Sequence, residues 1–235
     1  MMDRVLLTCE HGGAEVPAKY RGLFRTRAAQ SALRSHRGSD HGALWLAKSL
    51  QRSLRAPLLA STVTRLLVDL NRSLGHPQLF SEFSRPLDPT ARVTLLESLY
   101  YPHRDRVESW IREQSGHGDR TLHIGVHSFT PALGGEMRAA DVGLLYDPSR
   151  SAEQSFCRAW KQAIHGVDSE LRVRRNYPFL GKADGLVTHL RAVFGPRAYV
   201  GIEVEVTQAL LRTADGRRRT ARATSRSLRL LLGRE

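Results

Sequence analysis

Six short apolar runs, most of them rich in β-branched residues, recur along the chain with segments of helical character between them. The runs are Val5–Cys9, Pro57–Thr62, Leu122–His127, Val142–Tyr146, Leu171–Val173 and Tyr199–Val206. Between them, Ala43, Ala47, Leu50 and Leu54 recur at helical spacing, so residues 41–55 read as an amphipathic helix. Residues 91–113 read as helical with a break or kink at Pro102. Phe156, Trp160 and Ile164 mark one face of another helix, and Leu228, Leu231 and Leu232 one side of a last helix over 218–232. Strands alternating with helices point to an α/β fold with a mostly parallel central sheet flanked by helices. At 235 residues, with no repeat and no linker, the chain reads as one domain over 1–235. The polar stretch from Ser73 to about Thr90 holds Pro77, Pro86 and Pro89 and is longer than most ordered connections, so it reads as functional covering.

Composition excludes several classes. No apolar run approaches the roughly 18 residues that span a bilayer. The first residues lead straight into a strand, with no leader pattern. Cys9 and Cys157 cannot build a disulfide scaffold and belong to no paired-cysteine metal motif. A cytoplasmic protein without a membrane partner is expected. The net charge of +13 raises the question of nucleic acid, but it is unevenly placed: eight arginines stand against Asp215 and Glu235 from Arg212 onward. No aromatic-rich basic stripe accompanies them. The charge therefore reads as a solvated surface plus a basic last helix, and a nucleic-acid partner is not expected.

In open α/β sheets ligands collect at the carboxyl ends of strands, which directs attention to the polar residues there. His11 follows the first run and stands beside Gly12 and Gly13, which would let backbone approach a bound group closely. His127 closes the Leu122 run, and Asp69-Leu70-Asn71-Arg72 follows the apolar Leu66-Leu67-Val68. Glu203 and Glu205, two apart in a strand of valine and isoleucine, share one face. A buried carboxylate is costly unless it is paired or bound to a metal. Each histidine alone has a plain alternative as a hydrogen-bonded core residue; together with the carboxylates they indicate a metal or acid/base site.

Six segments, in order, resemble motifs of the N-formylglutamate amidohydrolase family. They are Cys9–Pro17 around His11-Gly12-Gly13, Ser39–Ala43 around Asp40, Thr64–Arg72, Val126–Pro131 around His127, Asn176–Gly181, and Ile202–Gln208. The family is in turn similar to the zinc carboxypeptidase and cell-wall amidase group, which implies a zinc-carboxypeptidase/phosphorylase-hydrolase-like fold. By that resemblance His11, Asp40 and His127 would hold Zn2+ or another divalent metal, two imidazoles and one carboxylate leaving a position open for water. A metal-activated water would then attack the amide of a small N-acyl amino acid such as N-formylglutamate. Either Glu203 or Glu205 would move the proton: the spacing to Gln208 favours Glu205, whereas the Gly201-Ile202 context favours Glu203 and tips the reading towards it. The deeper of the two is expected to pair with Arg65 or Arg72. The resemblance makes Arg72, beside Asn71, the clamp for a substrate carboxylate, with Arg65 as second candidate. His103 and Asn176 are further candidates for lining the pocket. The alternatives are an amidase for another N-acyl or peptide-like amide, and a non-catalytic protein of the same fold that binds a polyanion through its basic tail.

Overall fold

The computed structural model describes residues 3–234. Its strands are β1 (Asp3–Cys9), β2 (Leu58–Ala60), β3 (Arg120–Phe129), β4 (Ala132–Leu133), β5 (Glu136–Met137), β6 (Val142–Leu145), β7 (Val173–Arg175) and β8 (Tyr199–Thr207). Its helices are α1 (Arg27–Arg34), α2 (Ala43–Leu54), α3 (Pro89–Leu95), α4 (Tyr101–Gly116), α5 (Ser151–Val167), α6 (Leu186–Val193), α7 (Gln208–Leu211) and α8 (Ala214–Leu231). Six strands form one sheet in the order β2-β1-β3-β8-β6-β7, and β4 and β5 form a separate hairpin. Every pairing in the large sheet is parallel except β6 with β8. The mostly parallel sheet is thus as expected, with one reversed connection that periodicity does not encode.

The two faces of the sheet differ in chemistry, and this positions the site. Val5, Leu7 and Cys9 of β1, Leu122, Ile124 and Val126 of β3, and Val200, Ile202, Val204 and Val206 of β8 all enter the largest core, beneath α2, α5 and α8. Because successive side chains alternate across a strand, the intervening residues face the other way. On β1 these are Leu6 and Thr8, on β3 His123, Gly125 and His127, and on β8 Tyr199, Gly201, Glu203 and Glu205. At the amino-terminal end this second face is apolar: Leu6 and Tyr199 pack with Val107 and Ile111 of α4 and Leu186 and Leu190 of α6. Towards the strands' carboxyl ends it turns polar.

Sequence periodicity located the long elements within a few residues and missed the short ones. The helix expected over 41–55 is Ala43–Leu54. The segment over 91–113 is α3 and α4 joined by a π-helical turn at Leu96–Tyr100, and Pro102 follows that turn directly. The last helix begins at Ala214, four residues earlier than expected, because Thr213 caps it: its hydroxyl accepts from the Gly216 N–H at 3.1 Å. Leu228 is fully buried, Leu231 and Leu232 pack against the core, and the Trp160 indole N–H donates to the Ser227 hydroxyl at 2.9 Å. Arginines of this helix are partly engaged, Arg219 with both oxygens of Asp168 and Arg217 over the Trp45 ring. The Ser73–Thr90 stretch is structural rather than a cover: Leu79, Phe80 and Phe83 pack against Leu66–Leu70, and none of it lines the main cavity. Among the described residues no helix is long and apolar enough to cross a membrane.

Where the second face changes from apolar to polar, His123 is fully buried between the Thr8 hydroxyl (2.8 Å) and the Tyr199 hydroxyl (2.6 Å). Burial, the largest influence, pushes its pKa down to about 4. The unfolded chain, with a histidine near 6.5, then binds the proton more readily than the folded one. The corresponding stability is complete above about pH 6.5 and is lost as pH falls towards 4. Wild type is expected to lose about 2 kcal/mol more than His123→Gln between pH 7 and pH 5. Denaturant unfolding of both at the two pH values checks this; equal losses would contradict it.

Candidate active site

His11 lies on the turn that leaves β1, and its carbonyl accepts the Asp40 N–H at 2.9 Å, so the loop before α2 is hung directly on that turn. The glycines after His11 serve the fold rather than a ligand. A Cβ on Gly12 would meet the Ser61 carbonyl at 2.8 Å, and one on Gly13 the Thr62 carbonyl at 2.4 Å, because the turn runs against the chain leaving β2. His127 comes from β3, next to β1 in the sheet. Thus three segments bring His11, Asp40 and His127 together, all buried, with one potential ligand atom from each within 4.8 Å of the others.

The contacts specify which atoms face one another. Asp40 Oδ2 lies 2.9 Å from His127 Nδ1 and 3.5 Å from His11 Nδ1. At zinc bond lengths of about 2.0–2.1 Å, tetrahedral ligand atoms are about 3.3–3.4 Å apart, so the spacing fits a metal ion. His11 Nδ1 is buried without a hydrogen-bond partner, which is the state of a nitrogen available as a ligand. The opposite nitrogens are held by carboxylates: His11 Nε2 is 2.6 Å from Asp69 Oδ1, and His127 Nε2 is 3.3 Å from Glu10 Oε2. Such outer carboxylates fix the tautomer and orientation of ligating imidazoles. A cation seated among these ligand atoms is the physical alternative to protonating them.

Electrostatics follow from this crowding. Burial alone would raise the pKa of Glu10, but hydrogen bonds with His103 and His127 outweigh it and hold the carboxyl well below the usual range. Asp40 resists its own burial in the same way, through the Arg65 guanidinium that is ion-paired with it and through both histidines. Burial would lower His127, yet Asp40 and Glu10 hold it well above an ordinary histidine. Glu205 is the exception: burial dominates and pushes its pKa up to about 8, and its Oε2 is buried with no hydrogen-bond partner.

The two glutamates of β8 stand in different surroundings. Glu205 is in register with His127 across β3, and Glu203 with Gly125. Glu203 Oε1 accepts from the Asn71 amide at 3.2 Å and lies 3.6 Å from His127 Nε2, the nitrogen that faces away from Asp40. The expected pairing of the deeper glutamate with Arg65 or Arg72 is absent: Arg65 is committed to Asp40, and Arg72 donates to the Asp184 carbonyl at 3.2 Å. Both glutamates line a cavity of about 310 Å³ together with His11, Asp40, His127 and Arg72. Arg65 and Asn71 also reach this cavity, and the Asn71 side-chain Oδ1 accepts the Leu186 N–H at 2.6 Å.

Two expected lining residues are elsewhere. His103 is buried behind the His11–Asp40–His127 cluster, 3.3 Å from Glu10 Oε1. Asn176 has left-handed backbone (φ 48°) and its side-chain oxygen accepts from Tyr146 N and Gly181 N, so it ties a turn rather than lining the cavity. Sequence reading passed over Glu10 as a site residue and noted Asp69 without giving it a role. Glu10 carried a signal, a carboxylate at the end of an apolar strand immediately before His11. It also passed over Arg138, which lines the cavity from the segment just after β5.

A family model for N-formylglutamate amidohydrolase matches residues 3–212 of the chain. Among solved structures, the crystal structure of an Agrobacterium tumefaciens gene product is similar with a TM-score of 0.80 at 30% identity, covering 97% of this chain and 88% of that one. An N-formylglutamate amidohydrolase from Ralstonia eutropha JMP134 shares the fold, with a TM-score of 0.70 at 16% identity, over 97% of this chain and 92% of that one. No curated protein matches the sequence.

If Asp69 and Glu10 orient the two imidazoles, Asp69→Asn and Glu10→Gln should each weaken divalent-metal binding by about 10- to 100-fold. Competition for zinc against a chromophoric chelator measures this directly. Unchanged affinity in both variants would separate these carboxylates from the metal centre.

Proposed function

Since the chain belongs to the N-formylglutamate amidohydrolase family, we propose that it hydrolyses the N-acyl amide of a small amino acid, such as an N-formyl amino acid, with a divalent metal held by His11, Asp40 and His127. The observation that carries this reading is the convergence of those three side chains at one wall of the cavity. A volume of about 310 Å³ suits a small ligand. His11, Asp40 and His127 would hold the cation, which when bound would supply Lewis acidity to a water and to the scissile carbonyl.

The protein's own residues account for the remaining work. Hydrolysis adds one water across the amide: its oxygen joins the acyl carbon, the C–N bond breaks, and a proton must reach the departing nitrogen. Glu205 is the group best placed to carry that proton. Its free Oε2 is not occupied by any protein donor, and the side chain faces the cavity in register with His127. Glu203 is held by the Asn71 amide beside the outer nitrogen of His127 and acts as a positioning residue, steadying the imidazole together with Glu10. This reverses the preference that the Gly201-Ile202 context suggested. Arg65 compensates Asp40 and keeps it ionised, so a substrate carboxylate must be sought by another guanidinium.

Replacing Glu205 by Gln keeps the shape and removes the carboxyl that carries the proton. Turnover should fall by about 10² to 10⁴-fold while zinc content stays at the wild-type level. Glu203→Gln should cost less and act partly through weaker zinc retention. The assay is formate release from a panel of N-formyl amino acids together with metal analysis of each variant. Full turnover by metal-loaded Glu205→Gln would rule out this assignment.

A further inference from the structure

Resting on the amidohydrolase reading, we propose that the substrate's α-carboxylate is bound by Arg138 and that the amino acid it belongs to carries a bulky apolar side chain, seated on Leu133, Phe179 and Leu180. Three arginines line the cavity. Arg65 is ion-paired with Asp40, and Arg72 donates to the Asp184 carbonyl with Asp69 Oδ2 3.9 Å away. Among the described residues Arg138 has no carboxylate partner, and its only side-chain hydrogen bonds run from Nη1 to the Thr130 carbonyl and hydroxyl, at 3.4 Å each. The guanidinium lies between two rings, 5.7 Å from the centroid of Phe129 and 5.0 Å from that of Phe179. Cation–π contact with two rings restrains the guanidinium while leaving N–H groups available to carboxylate oxygens. The mount is firm: the Arg138 N–H donates to the Pro131 carbonyl at 2.8 Å, and the next residue's N–H to the Tyr177 hydroxyl at 2.9 Å.

The rim around Arg138 is apolar and exposed. Leu133 is 52% exposed, Phe179 43% and Leu180 56%, and all three border this one cavity. Large apolar side chains gathered at the mouth of a polar site mark where a ligand buries its own apolar surface. None of the three offers a hydrogen-bond donor, so a second carboxylate placed against them would find no protein partner and would forgo the burial of their apolar surface. The chemistry thus favours an N-acyl derivative of a leucine- or phenylalanine-like amino acid over one of glutamate.

The experiment compares kcat and KM of the zinc-loaded full-length protein on N-formylphenylalanine, N-formylleucine and N-formylglutamate. The apolar substrates should exceed N-formylglutamate in kcat/KM by about 10-fold or more. Leu180→Ser should lower kcat/KM for the apolar substrates by about tenfold and so remove most of that advantage. Arg138→Met should raise KM for every substrate at least tenfold with little change in kcat, and Arg138→Lys should fall between. A preference for N-formylglutamate, an apolar advantage that Leu180→Ser leaves intact, or an unchanged KM in Arg138→Met would overturn the proposal. Should the wild type cleave none of the three amides, the amidohydrolase reading fails instead, and calorimetric titration with free phenylalanine and glutamate decides the pocket's preference. Tighter binding of phenylalanine, weakened about tenfold by Arg138→Met, would support the assignment; equal or absent binding would reject it.

Discussion

Glu10, Asp40 and Asp69 are buried within one small region, and an isolated carboxylate taken out of water costs far more than a domain's net stability. Their burial is tolerable only because positive charge and donors are interleaved with them. Arg65 is paired with Asp40, His11 stands between Asp40 and Asp69, and His127 between Asp40 and Glu10. His103 closes the chain on the far side of Glu10. Each carboxylate is thus shared, and removing one would leave a buried cation without its partner. The network constrains the loops: the turn after β1, the segment before α2 and the Leu66–Arg72 stretch must all meet at one place for the charges to balance.

The sheet makes that meeting feasible. Parallel strands β1, β3 and β8 lie side by side and end at the same edge, so residues leaving them are brought together across large sequence separations. Alternation then sorts the chemistry. One face carries an unbroken apolar layer under α2, α5 and α8, which holds the strands in place. The other face holds Thr8, His123, His127, Glu203 and Glu205, with Gly125 and Gly201 interspersed. Gly125 gives Glu203 room to lie beside His127: a Cβ there would approach the Glu203 side chain at 3.3 Å.

A good part of this was legible in the chain itself. The β-branched runs, the helical spacing of Ala43, Ala47, Leu50 and Leu54, and the two glutamates set into Tyr199–Val206 are local patterns, and local patterns report burial and period directly. Hence the α/β class, the long elements and the candidacy of His11, Asp40, His127, Glu203 and Glu205 followed from residues alone or from their likeness to a known family. Short elements such as α1, α6 and the β4–β5 hairpin escaped, since two turns of helix or two residues of strand carry too little periodicity to stand out.

What only the tertiary structure decided are the pairings, because they depend on which distant segments share space. No spacing says that Arg65 turns to Asp40 rather than Asp69, that His103 backs Glu10 instead of facing the cavity, or that Asn176 ties a turn. The surroundings of Glu203 and Glu205 part for the same reason: two apart on one strand, they are equivalent by period, and become distinct only when Asn71 from another loop takes one of them. Arg138 shows the limit most plainly. In the chain it is one arginine among many, and only the fold leaves it between Phe129 and Phe179 without a carboxylate of its own. Sequence determines which groups are available and which face they take; the three-dimensional packing determines which charges find partners and which are left for a ligand.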